Sequence, residues 1–276
     1  MAKDKMRSSP SVEVGSEHRQ IPWERIRVVF CDMDGTLYNG ERRIEGADTF
    51  IRRLREHVPH VHFLSNNSSR SHAEYVARLA RQGIEATEDD ILLSTDAQGA
   101  FLQSQGITRA YLIGTDSMRT VLAVRYGVAH SLNDPEAVIL GYDTELTYQK
   151  LREAALLLQR EGMPYYATHM DLVCPTENGP IPDAGSMIAL LDKATGRTPE
   201  RIFGKPDPAM VGYLFERYGV CPDEAIFVGD RTYTDHAMAH NCGSLFLGVL
   251  SGEATHRDFE ECENKVVFPS VASVFT

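Results

Sequence analysis

Ile26-Arg27-Val28-Val29-Phe30-Cys31-Asp32-Met33-Asp34-Gly35-Thr36 joins a short apolar, β-branched run to an acidic turn. Such a run, Ile26 to Cys31, predicts a strand buried on both faces, as in a parallel sheet. In extended backbone, residues two apart point the same way, so Asp32 and Asp34 can face one site beyond the strand. Gly35 and Thr36 then let the chain turn away. Open parallel sheets bind ligands outside the carboxyl ends of their strands, where this pair falls.

The same alternation continues outward. Helical spacing of Phe50, Ile51 and Leu54 predicts a helix over 47–56, followed by a strand over 61–64 and a helix over 72–82 ended by Gly83. Near the C-terminus a helix is expected over 208–218, a strand over 225–228, a helix over 234–240 and a strand over 244–250. The fold class is therefore α/β, a doubly wound parallel sheet. The middle repeats the pattern, with strands over 110–113, 137–140 and 165–168 and helices over 117–126, 148–160 and 186–193. Residues 105–201 are read as a second α/β domain inserted into a core made of 21–104 and 202–276, with 1–20 as a loose polar tail.

Composition narrows the function. The 276 residues carry a formal charge of −11, which argues against a nucleic-acid polymer as partner. One focused positive pocket can still take a small anion. Five scattered cysteines lack any Cys-x-x-Cys pair, which favours a reducing compartment over a disulfide or zinc framework. The first twenty residues lack the apolar run of a secretion signal, and no stretch reaches 18 apolar residues. A cytoplasmic protein without membrane contact is the expectation.

Three further motifs carry chemistry. Ser65-Asn66-Asn67-Ser68 follows the strand over 61–64 and precedes a helix, and its hydroxyl, amides and N–H groups suit a phosphate. Gly204-Lys205-Pro206-Asp207-Pro208 presents an ammonium able to neutralise phosphate and restrain a carboxylate. It is not a Walker A loop, because Pro199 stands where that loop needs Gly and Pro206 replaces the Ser or Thr. Gly229-Asp230-Arg231-Thr232-Tyr233-Thr234-Asp235 places further carboxylates at a strand end, where they can complete an oxygen-rich Mg²⁺ site. Each motif alone is also compatible with ordinary capping or a solvated loop. One sheet edge can nevertheless gather residues 32, 34, 65, 205 and 230.

The order of the four motifs resembles the haloacid dehalogenase superfamily, and more closely its phosphatases with a large cap between the second and third motifs, such as p-nitrophenylphosphatase-like and ribonucleotide monophosphate phosphatases. The resemblance runs from Arg27 onward and includes Gly248-Val249-Leu250-Ser251-Gly252. It implies a phosphatase for small phosphorylated metabolites, with Asp32 as nucleophile and Asp34 as general acid and base. It also implies Mg²⁺ held by the Asp32 and Asp230 carboxylates and the Asp34 carbonyl, with Asp235 behind them. Ser65, Asn66, Asn67 and Lys205 would bind the phosphoryl group. A homodimer through the cap is implied by the resemblance alone.

Thr168-His169-Met170-Asp171 departs from the family, whose members often read Thr-Asn-x-Asp, and this makes His169 or Asp171 a candidate contact for the leaving group. His236 and His240 have the spacing of a zinc pair, but Ala237 follows where a metalloprotease needs Glu, so packing or solvent roles are expected. His57, His60 and His62 lack nearby thiols, and Tyr75, Val76 and Leu79 form a core stripe. Two other readings share the motifs: transfer of the phosphoryl group to an acceptor other than water, and phosphometabolite binding without turnover.

Overall fold

The computed structural model describes residues 21–176 and 178–275; the expected tail over 1–20 lies outside them. Six parallel strands form one sheet, in the spatial order Lys265–Phe268, Leu245–Val249, Ala225–Gly229, Val28–Asp32, His60–Ser65 and Ile91–Leu93. Val28 is in register with both Ala225 and His60. All six therefore end at one edge, where Asp32, Ser65 and Asp230 emerge.

Period-two alternation divides the central strand between two apolar layers. Val29 and Cys31 face a cluster with Phe50, Ile51 and Leu54 of the helix Ala47–His57 and Tyr75 and Leu79 of the helix His72–Arg81. Val28 and Phe30 face the other side, with Leu214 of Gly212–Tyr218 and Met238 of Ala237–Cys242. Burial on both faces explains why the strands read as continuous apolar runs.

A second sheet has five parallel strands in the order Arg201–Ile202, Tyr165–Ala167, Ala137–Leu140, Arg109–Ile113 and Ala129–His130. It has its own two clusters. One uses Leu157 and Leu158 of Tyr148–Leu158 with Met187 and Leu191 of Ala184–Thr195, and the other uses Met118 and Leu122 of Asp116–Tyr126. A two-stranded hairpin, Val173–Cys174 with Ile181–Pro182, projects from this unit.

The structure departs from the sequence pattern at several places. Ile91–Leu93 and the helix Ser94–Ser104 were not anticipated, because the helix buries Ser94, Thr95, Gln98 and Gly99, a polar face that carries no apolar period. The short edge strand Lys265–Phe268 was likewise not anticipated. The expected helix over 208–218 is broken at Val211 into a 3₁₀ turn, Pro208–Met210, and Gly212–Tyr218. Instead of a helix from 234, a wide π turn over Thr232–His236 leads into Ala237–Cys242. Among the described residues no helix is long and apolar enough to cross a membrane.

Candidate active site

Asp32 is the last residue of the central strand, and Asp34 sits in the turn beyond it. Gly35 has φ +86° and donates its N–H to the Tyr38 carbonyl at 2.8 Å, closing the turn. A Cβ at Gly35 would lie 2.3 Å from the Asp230 carboxylate, and one at Gly252 would lie 1.9 Å from it. These two glycines leave a slot that the Asp230 side chain fills.

Lys205 is buried, and its ammonium donates to Asp32 Oδ1 and, at 2.7 Å, to Asp235 Oδ1. Asn66 holds that lysine in place. Its Oδ1 accepts from the Lys205 N–H at 2.7 Å, and its Nδ2 donates to the Lys205 carbonyl at 3.2 Å and to Asp171 Oδ2 at 3.1 Å. The side-chain amide of this expected phosphate ligand thus positions Lys205 and meets Asp171, while Asn66 also lines the cavity beside Asp32. Gly204 permits this approach, since a Cβ there would meet Asn66 Oδ1 at 2.6 Å.

The Ser65–Ser68 stretch is a turn rather than a helix start. The helix begins at His72 and is capped reciprocally by Ser71 and Glu74. Ser65 Oγ accepts from the Asn67 N–H at 3.2 Å and pairs with the Tyr75 hydroxyl at 3.0 Å. Asn67 Oδ1 accepts from both the N–H and the hydroxyl of Ser69, at 2.9 and 2.6 Å. Ser65, Asn66, Asn67, Asp171 and Lys205 line one narrow cavity of about 40 Å³ with Asp32 and Asp34. From Asp34 and Arg231 a wider cleft of about 270 Å³ opens towards Asn39, Thr176 and Glu253.

Electrostatics at the strand ends are unusual. Burial pushes the Asp32 carboxyl up to about 8; Asp235 and Asp230 add to the shift and Lys205 opposes it. Burial, then Asp235, pushes Asp230 up to about 6. Lys205 would be lowered by its own burial, but Asp235 and Asp32 outweigh that and hold it well above its usual value. Burial also raises Asp34, against the pull of Arg78, whose guanidinium lies 3.6 Å from Asp34 Oδ1.

The donor set fits a divalent cation. Asp32, Asp230 and Asp235 bring carboxylate oxygens within 4.8 Å of one another, and one ammonium balances only one of the three charges. Both Asp235 oxygens are already occupied, by Lys205 and by the Arg231 N–H at 3.2 Å. Asp230 Oδ2 accepts from the Glu253 N–H at 2.7 Å, whereas its buried Oδ1 has no hydrogen-bond partner among the described residues. A buried carboxylate oxygen without a donor is costly unless an ion meets it.

His169 is fully buried. Its Nδ1 pairs with the Thr168 hydroxyl and its Nε2 with Asp183 Oδ1, both at 2.9 Å. Of the two candidate leaving-group contacts, Asp171 lines the narrow cavity and His169 does not, though its partner Asp183 does. His236 Nε2 donates to the Glu263 carbonyl at 2.9 Å, and His60 stacks on Tyr218, and neither is in a metal cluster among the described residues. Sequence reasoning missed Arg231 and Glu253, which line the wide cleft, and Arg78 beside Asp34. Arg231 stood inside a recognised motif, and Glu253 directly follows one. Arg78 carried no signal, because only the packing of its helix brings it to Asp34.

Comparison with known proteins gives the same family from several directions. Residues 29–127 match the model of the haloacid dehalogenase-like hydrolases, and 202–274 match a HAD-hydrolase-like model. An acid sugar phosphatase of Staphylococcus epidermidis is 30% identical over 234 residues, covering 84% of this chain and 89% of that protein. The crystal structure of a 4-nitrophenylphosphatase from Thermotoga maritima is similar at a TM-score of 0.83 and 36% identity, covering 91% of this chain and 96% of that one. A glycerol phosphate phosphatase from Mycobacterium tuberculosis, solved in complex with magnesium, is similar at a TM-score of 0.82 and 30% identity, covering 91% and 77%. With its motifs in their order and its relatives matched over nearly their whole length, the chain belongs to the haloacid dehalogenase-like hydrolases.

Proposed function

We propose that Asp32 is the nucleophile and Asp34 the general acid and base of a Mg²⁺-dependent phosphatase acting on small phosphate monoesters. The observation that carries this reading is the Lys205 ammonium bound between Asp32 and Asp235, beside an Asp230 oxygen with no partner, at the carboxyl end of a parallel sheet. Among the described residues Asp32 Oδ2 accepts a hydrogen bond only from the Thr36 hydroxyl, at 3.4 Å, which leaves it able to react or to ligate.

In the first step an Asp32 oxygen bonds to phosphorus while the ester P–O bond breaks, and Asp34 gives its proton to the leaving oxygen. In the second step Asp34 takes a proton from water as that water attacks phosphorus. The P–O bond to Asp32 then breaks, releasing phosphate and restoring the carboxylate. Burial keeps Asp34 above its usual range, which suits a group that must begin protonated. Asp32 and Asp230, with the Asp34 carbonyl, would hold the Mg²⁺, and Asp235 would fix Lys205 and the Arg231 backbone beside them. The ion supplies positive charge against the repulsion between an anionic nucleophile and an anionic ester. Lys205 adds to this from the opposite oxygen of Asp32. Ser65 and Asn67 would receive the transferring phosphoryl group, while Asn66 fixes Lys205.

Residues 105–201 are proposed as a cap inserted into a core of 21–104 and 202–276. The hairpin residues Pro175 and Thr176 line the wide cleft opposite Asp34 and Arg231, as a lid that limits bulk water would. Five free cysteines support a reducing compartment and hence the cytoplasm.

The test is phosphate release from p-nitrophenyl phosphate and a metabolite panel, with Mg²⁺ or EDTA, for wild type and Asp32→Asn. Removing a nucleophile should cost on the order of 10³-fold or more in kcat. Release that survives Asp32→Asn, or that ignores EDTA, would remove the assignment.

A further inference from the structure

Of the residues lining the wide cleft, Arg231 is the one cation among those described, and it is not free. Its Nε lies 2.9 Å from Glu253 Oε2. The Tyr233 hydroxyl lies 3.1 and 3.2 Å from the two Glu253 oxygens. Glu253, half exposed, is therefore hydrogen-bonded by Tyr233 and ion-paired with Arg231, and it offsets the charge that would otherwise draw an anion into this end of the cleft. A carboxylate offers about four acceptor directions; the Tyr233 hydroxyl uses one, while the Arg231 contact is an ion pair with no hydrogen bond from Nε. The others remain for hydroxyl donors.

We propose that Glu253, held by Arg231 and Tyr233, is a specificity-determining residue that selects monoesters with a small, uncharged polyhydroxy leaving group and rejects those bearing a second anion. This rests on the phosphatase reading above. Two features of the cleft support the selection. Its volume of about 270 Å³ suits a compact polyol or sugar better than a nucleoside, because drug-sized ligands take pockets of ~300–1,000 Å³. Its wall places the Glu253 carboxylate where a carboxylate or second phosphate would meet like charge, and the one cation lining the cleft among the described residues, Arg231, is already paired with it.

The experiment compares kcat/KM for glycerol 3-phosphate and 3-phosphoglycerate, which share a carbon skeleton and differ in a hydroxymethyl against a carboxylate. Wild type is expected to prefer glycerol 3-phosphate. Glu253→Gln removes the negative charge and frees Arg231, and should shift the ratio towards 3-phosphoglycerate by about tenfold or more, mostly through KM. Glu253→Asp should restore part of the preference. In wild type, rising salt should shift the ratio the same way, because the repulsion is screened over ~8–10 Å at ordinary ionic strength; this measurement needs no folded variant. An unchanged ratio in an active Glu253→Gln protein, or a wild type that prefers 3-phosphoglycerate, would overturn the proposal and leave the phosphatase reading intact. Absence of phosphate release from every ester, p-nitrophenyl phosphate included, would instead remove the reading beneath it.

Discussion

Replacing Asp230 by Asn should stabilise the metal-free protein at alkaline pH. In the fold Asp230 titrates near 6 against an ordinary 3.8, because its carboxyl is buried and Asp235 stands beside it. The native state then binds more protons than the unfolded chain between about pH 4 and pH 6, so stability falls as pH rises through that window. Asp32, raised to about 8, extends the same loss to about pH 8. For Asp230 alone the shift of about two units corresponds to ~3 kcal/mol. An Asn side chain keeps an acceptor for the Glu253 N–H and carries no charge to desolvate. In EDTA at pH 8, Asp230→Asn should therefore be more stable than wild type by ~3 kcal/mol, and the two should converge at about pH 4 and below. Mg²⁺ should reverse the order at pH 8, stabilising wild type by ~2.7 kcal/mol at 100 times its Kd and leaving the variant unchanged. Urea unfolding followed by fluorescence of Trp23, the single tryptophan, which stacks on Phe275 at 5.0 Å, reads both effects. The difference between the two proteins isolates this site from the buried His62, whose lowered pKa acts in the opposite direction on acidification. A variant no more stable than wild type at pH 8, or equally stabilised by Mg²⁺, would refute the account of the carboxylate cluster.

Asp34→Asn should slow hydrolysis of an alkyl phosphate by about 10²–10⁴-fold, the usual worth of a positioned proton donor, and slow p-nitrophenyl phosphate less, since that leaving group needs less protonation; equal losses in parallel kcat measurements would count against the acid role. Gly252→Ala puts a Cβ within 1.9 Å of Asp230 Oδ2 and should raise the Mg²⁺ concentration for half-maximal activity by about tenfold or more, which a metal titration checks. His169→Ala should leave relative rates across an ester panel unchanged, because the buried ring hydrogen-bonds Thr168 and Asp183 and is not among the residues lining the cavity. It should still lower stability by about 1–3 kcal/mol by leaving buried groups unpaired, read as a fall in the urea midpoint.

Local residue patterns determined the α/β class and the positions of the chemistry. Apolar, β-branched runs ending in acidic or Gly-containing turns are the one-dimensional trace of parallel strands buried on both faces, and Asp32, Asp34, Lys205, Asp230 and Asp235 all stand where such runs end or a helix follows. What each side chain touches could not be read in the same way. That the Asn66 amide holds the Lys205 backbone, 139 residues later in the chain, at both its ends had no trace in the local sequence. His169 resembled a specificity residue until packing against Asp183 buried it. Glu253 and Arg78 acquired their places only through the docking of a loop and a helix against the first turn. Secondary structure follows from periodicities a few residues long, which the sequence displays directly. Hydrogen-bond partners and desolvation depend on contacts between distant segments, and those exist only once the chain has closed on itself.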